Sequence, residues 1–107
     1  MDPRDRRRSE RIVKVLPVLL GLVEPKQAGT TRVINRHGAL LIAPENWGPD
    51  TRLAMLNPDT KQSAVCRVVW NGGSSQAGQW VLGIEFLQER PDFWGSAYSP
   101  GTDVSAG

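Results

Sequence analysis

Four arginines crowd the stretch RRRSER at positions 6–11, directly ahead of the apolar run IVKVLPVLLGLV. A guanidinium is a planar fork of donors that can hold phosphate oxygens, or the O6/N7 edge of guanine, two bonds at a time. It also stacks on flat rings, which distinguishes it from a lysine ammonium. Arginine alone supplies the positive charge before Ile12. Such a cluster suits a ligand that is both flat and anionic; the competing reading is a charged tail that serves solubility.

The distribution of charge sharpens the question. The 107-residue chain has a formal net charge of only +2. Residues 1–14 hold six basic side chains (Arg4, Arg6, Arg7, Arg8, Arg11, Lys14) against three acids, and the rest holds seven against eight. The whole positive excess therefore sits at the N-terminus, which points to an anionic partner there.

A second polar feature lies in VINRHGALLI, residues 33–42, where Asn35, Arg36, His37 and Gly38 separate two apolar runs. The Asn-x-x-Gly spacing predicts a tight turn in which glycine takes a positive φ and lets a ligand approach the backbone. Arg36 could add a phosphate contact; an exposed turn cation is the plainer reading. His37 is the single histidine, so no second imidazole is at hand for a metal.

Signatures of catalysis are missing. The chain has no HExxH, no GxSxG, no GxxxxGK[ST] and no GxGxxG pattern. Glu85 and Glu89 read as solvated surface acids. The single cysteine, Cys66, excludes an internal disulfide and a cysteine-based zinc site, and it alternates inward with Val68 as an inert buried thiol. We expect no enzyme, no metal and no cofactor.

The elements that must position these residues are short strands. WVLGIEF (80–86) puts Trp80, Leu82, Ile84 and Phe86 on one face; SAVCRVVW (63–70) groups Ala64, Cys66, Val68 and Trp70, with Arg67 opposite. RLAML (52–56), ALLIA (39–43) and TTRVIN (30–35) supply three more. The segment 12–23 reads as one long strand that bends or follows an edge at Pro17. Turns are expected at Glu24-Pro25-Lys26 with Ala28-Gly29, at residues 46–50 and at Asn57-Pro58-Asp59, with a flexible hairpin tip over NGGSSQAG (71–78). Trp70 and Trp80 are assigned to the core, Trp47 and Trp94 to loops where partner contact is conceivable. Six strands with this spacing predict an all-β antiparallel barrel or sandwich, because closing the sheet removes exposed edges. Beyond Gln88 the pattern fades, and SAYSPGTDVSAG (96–107) reads as a disordered tail. The division expected is a flexible basic segment 1–11, a barrel 12–90 and a tail 91–107. The apolar run from Ile12 is too short and too broken to span a bilayer, and the charged first residues do not read as a signal peptide. Together with the cysteine usage, this places the chain in the cytoplasm, without membrane insertion.

Taken together, these features resemble the PilZ domain family, bacterial receptors for cyclic di-GMP, over about residues 6–87. Family members carry an RxxxR motif ahead of the first barrel strand, and Arg7-Arg8-Ser9-Glu10-Arg11 fits it, preceded by the frequent extra arginine at Arg6. A [D/N]-x-S-x-x-G motif follows between the second and third strands. With its glycine on Gly38, its serine falls on Asn35 and its acid or amide on Val33, so this second motif is degenerate. VVW (68–70) and LGIEF (82–86) look like the family's fifth and sixth strands. The resemblance implies a six-stranded PilZ-like barrel in which Arg7 and Arg11 clamp the dinucleotide near Asn35 and Gly38, with Arg6 and Arg36 beside them. It further implies that the bound state is relayed to an as yet unidentified protein partner. Asn35 can donate from its amide in place of serine. Val33 cannot replace the guanine contact, a loss of about 1–3 kcal/mol or roughly ten- to hundredfold in affinity. The alternative is a PilZ domain that has lost the nucleotide and serves as a protein–protein adaptor in motility or type IV pilus control. Specific nucleic-acid binding is not expected, since the surface beyond the arginines is slightly acidic.

Overall fold

The computed structural model describes residues 11–98. Seven strands follow in order: β1 (Ile12–Val13), β2 (Pro17–Gly21), β3 (Gln27–Asn35), β4 (Gly38–Ala43), β5 (Arg52–Asn57), β6 (Gln62–Gln76) and β7 (Gln79–Phe86). All pairings are antiparallel, in the order β1-β3-β2-β5-β6-β7-β4, and β3 also pairs with β4. That last pairing closes β2 to β7 into a six-stranded barrel and leaves β1 as a short extra strand beside β3. The expected all-β barrel is thus present.

Side-chain alternation explains the closure. Val18 and Leu20, Ile34, Leu41 and Ala43, Leu53 and Met55, Cys66 and Val68, and Leu82 and Ile84 all turn inward and form one buried core. Burial pushes the Cys66 thiol up to about 12, which removes it as a nucleophile at neutral pH. Trp80 and Phe86 pack against the same core from its margin.

Several local expectations are corrected. The segment 12–23 is two strands rather than one. Pro17 opens β2, a position that needs no ladder donor from it. Between β1 and β2 the backbone is held by the buried Thr31: Leu16 N donates to its Oγ1 at 2.9 Å, and the hydroxyl donates to Lys14 O at 2.7 Å. Ala28 and Gly29 form no turn but belong to β3, opposite Leu19 and Val18. NGGSSQ continues β6 as far as Gln76, leaving only Ala77 and Gly78 between β6 and β7.

The largest correction concerns two tryptophans. β6 shifts register against β7 between Val68 and Trp70, and again between Asn71 and Gly73 and between Ser74 and Gln76. A bulge places two residues against one, so alternation resets: Val69 and Trp70 both face outward, and Trp70 is 52% exposed instead of lying in the core. Trp94 does the opposite. It is 1% exposed and packs edge-on against Phe93, with ring centroids 4.8 Å apart, while Phe93 meets Phe86 at 5.0 Å. The core therefore extends past residue 90. Its last segment is anchored by buried Asn57, whose Nδ2 donates to Phe93 O at 2.8 Å, and by Thr60 Oγ1, which donates to the same carbonyl at 2.9 Å. A short 3-10 turn, Gly95–Ala97, follows. The remainder of the expected tail, residues 99–107, lies outside the described residues.

Candidate functional site

The barrel's outer face beside β1 carries two parallel rows of side chains, set by register. In one row Val13 lies opposite Val33, Val33 opposite Leu40, Leu40 opposite Gly83 and Gly83 opposite Trp70. At about 4.8 Å per strand this is an apolar stripe roughly 19 Å long. In the adjoining row Asn35 lies opposite Gly38, Gly38 opposite Glu85, Glu85 opposite Arg67 and Arg67 opposite Arg52. Arg11 stands at the head of that polar row, since the next residue, Ile12, pairs with Ile34.

A cleft of about 330 Å³ lies over the middle of both rows, with Val13 and Trp70 at the ends of the apolar row beyond its lining. Its lining includes Arg11, Asn35, His37 and Gly38 with Val33, Leu40, Val69, Gly83 and Glu85. Three residues singled out from the sequence, Arg11, Asn35 and Gly38, are thus brought to one place although Arg11 is far from the other two in the chain. Arg36 is not part of that lining: it stands on the same bend but edges a separate small depression with His37, Glu89 and Arg90. Arg6 and Arg7 lie outside the described residues. A larger groove of about 670 Å³, over Val23, Ala54, Val65 and Leu87, brings together none of the residues singled out from the sequence.

The bend itself is an Asx turn. Asn35 Oδ1 accepts from His37 N at 2.7 Å and from Gly38 N at 2.9 Å, so its side-chain oxygen is committed to the turn and the Nδ2 amide is the group suited to a ligand. Two tertiary bonds hold the bend down: Trp94 Nε1 donates to Asn35 O at 3.0 Å, and Phe86 N donates to His37 O at 2.8 Å. Gly38 does not take the positive φ expected of it. It is glycine for a steric reason, because a Cβ there would run into the carbonyl of Ile84 on β7.

Electrostatically the polar row is paired. Arg67 Nε donates to Glu85 Oε2 at 3.2 Å, its Nη2 reaches the same oxygen, and its Nη1 donates to Asp50 Oδ1 at 3.0 Å. The Glu85 hydrogen bond and charge, with smaller help from Asp50, raise the Arg67 pKa above its ordinary value. Among the described residues no ion pair involves Arg11.

Two members of the site escape a reading based on alternation alone. Trp70 lies against Gly72, where a Cβ would collide with the indole, and beside Gly83. The Gly-Gly pair directly after it was a signal, since glycine inside a strand marks bulges and close approach. Glu85 faces out from a strand whose sequence reads simply as alternating. Among the described residues no group of three or more His, Cys, Asp or Glu could hold a metal ion, and no helix is long and apolar enough to cross a membrane.

The small closed β-barrel thus carries a part-apolar cleft with an arginine at its lip. The comparison with protein families makes this specific: the model of the PilZ domain matches residues 5–93, and the chain belongs to that family. The match covers the RRRSER segment, the Asx turn and the strand of Glu85, and it ends at Phe93. No curated protein matches the chain.

Proposed function

We propose that this PilZ domain is a receptor for cyclic di-GMP, taken up in the cleft between Arg11 and the Asn35–Gly38 turn. The observation that carries the reading is the convergence of Arg11, Asn35 and Gly38 on one cleft beside an apolar stripe that ends on Trp70. Guanine rings would lie against the stripe, where Val33, Leu40 and the exposed indole offer flat apolar surface, and stacking on an aromatic contributes about 1–3 kcal/mol per base. The phosphates would meet Arg11, together with Arg7 and Arg6 of the preceding segment, through charge-assisted bonds.

Such contacts would fix the arginine segment relative to β1. A protein partner that recognises that arrangement would then read the signal, because a ligand shifts an equilibrium only through its preference for one state. The receptor would act in the cytoplasm, without catalysis. Titration of the purified chain by calorimetry tests the reading. Cyclic di-GMP is expected to bind selectively over GMP and GTP, and Arg7→Ala or Arg11→Ala to weaken it about tenfold or more. Undiminished affinity in both variants would remove the clamp.

One observation favours a second reading, the adaptor that needs no nucleotide. Val13 is 81% and Val15 is 70% exposed beside Lys14, an apolar surface suited to a protein partner. On that reading cyclic di-GMP produces no heat and no spectral change.

A further inference from the structure

We propose that Glu85 reads the ligand's base, accepting hydrogen bonds from the donor edge of guanine while Arg67 holds its carboxylate in place. This rests on the receptor reading above and adds a residue that determines specificity.

Guanine differs from adenine at its Watson–Crick edge by presenting two adjacent donors, N1–H and the 2-amino group. A site that selects guanine there needs an oxygen with two lone pairs free to take both donors. The cleft offers few. Val33, Ile34, Ala39, Leu40, Val69, Gly83 and Ile84 have no polar side chain, and the oxygen of Asn35 is already engaged by two backbone N–H groups. The acceptor nitrogen of a neutral His37 has a single lone pair. Glu85 is the only carboxylate in the lining among the described residues.

Its geometry fits the task. Arg67 takes up Oε2 through Nε and Nη2, while Oε1, bonded by no described residue, keeps both lone pairs for the two guanine donors. The side chain is 43% exposed, so it is reachable as well as held. The fork of Arg67 offsets the negative charge that would otherwise oppose a phosphate nearby, and Asp50 draws on the far nitrogen of the same guanidinium. Glu85 also stands at the correct remove. It lies opposite Gly38, which lies opposite Asn35, so the Asn35 bend and the carboxylate are two strand steps apart, roughly 10 Å, with Arg11 one strand further out. A phosphate and the far edge of its own base span such a separation. Adenine at the same place would turn an acceptor, N1, toward the carboxylate, and two facing acceptors repel.

The experiment compares cyclic di-GMP with cyclic di-AMP on wild type and on Glu85→Gln by calorimetry. Glutamine keeps the shape but replaces one acceptor by a donor. Wild type should prefer cyclic di-GMP by about tenfold or more, and E85Q should lose that preference, weakening the guanine ligand and relieving the mismatch with adenine N1. Because both ligands are titrated into the same sample, a partly unfolded variant cannot alter the ratio. An E85Q protein with the wild-type ratio, or a wild type that binds both dinucleotides equally, overturns the role of Glu85. A wild type that binds neither overturns the receptor reading itself.

Discussion

Trp70 and Trp94 serve opposite ends of the same problem. Trp94 is sealed beneath the Asn35–Gly38 bend, its N–H satisfied by the Asn35 carbonyl and its ring set edge-on to Phe93. Trp70 lies on the outer face with half its surface open, resting on Gly72 at the end of the apolar stripe. Residue type does not decide between these uses. Packing partners do: one indole has aromatic neighbours and an acceptor, the other a pair of glycines and solvent. The inner tryptophan stabilises the barrel and fixes the bend, whereas the outer one leaves an aromatic face available beside the cleft.

Substitution separates the two roles. Trp94→Ala removes a buried indole and its hydrogen bond, and thermal or denaturant unfolding should show a loss of about 3–5 kcal/mol. A loss under 1 kcal/mol would mean that the segment after residue 90 is not part of the core. Trp70→Ala gives up only the half of its surface that is buried, so its stability cost should stay below about 2 kcal/mol. Its main effect should be on binding, about tenfold weaker for cyclic di-GMP by calorimetry, since one stacking surface is lost. If the two variants exchanged these effects, the division between an inner support and an outer platform would be wrong.

The same pair shows where legibility in the sequence ends. Strand positions followed from period-two alternation because a barrel has one inside, and Leu82, Ile84, Cys66 and Val68 obey it. Trp70 does not, because the shift of register after Val68 resets the alternation, and a bulge depends on the partner strand as much as on the residues themselves. Trp94 follows no periodic run; its place is set by long-range bonds from Asn57 and Thr60 to Phe93, thirty or more residues away. The site was legible in part for a similar reason. Arginine chemistry and the Asn-x-x-Gly spacing are local, so Arg11, Asn35 and Gly38 could be picked out. Glu85 could not, because its approach to the bend is a matter of the β4–β7 register. Even Gly38, which the Asn-x-x-Gly spacing picks out, is glycine for contact with Ile84 rather than for its φ.

The central claim is that one ligand touches the arginine lip, the Asn–Gly bend and the stripe at once. Amide chemical shifts followed during titration with cyclic di-GMP test it most directly. The account predicts saturable shifts gathered at Arg11, Val33, Asn35, Gly38, Gly83 and Glu85, along with the Trp70 indole N–H, while Val23, Ala54 and Val65 around the larger groove stay in place. An unchanged spectrum at saturating ligand, or shifts centred on that groove instead, would contradict it.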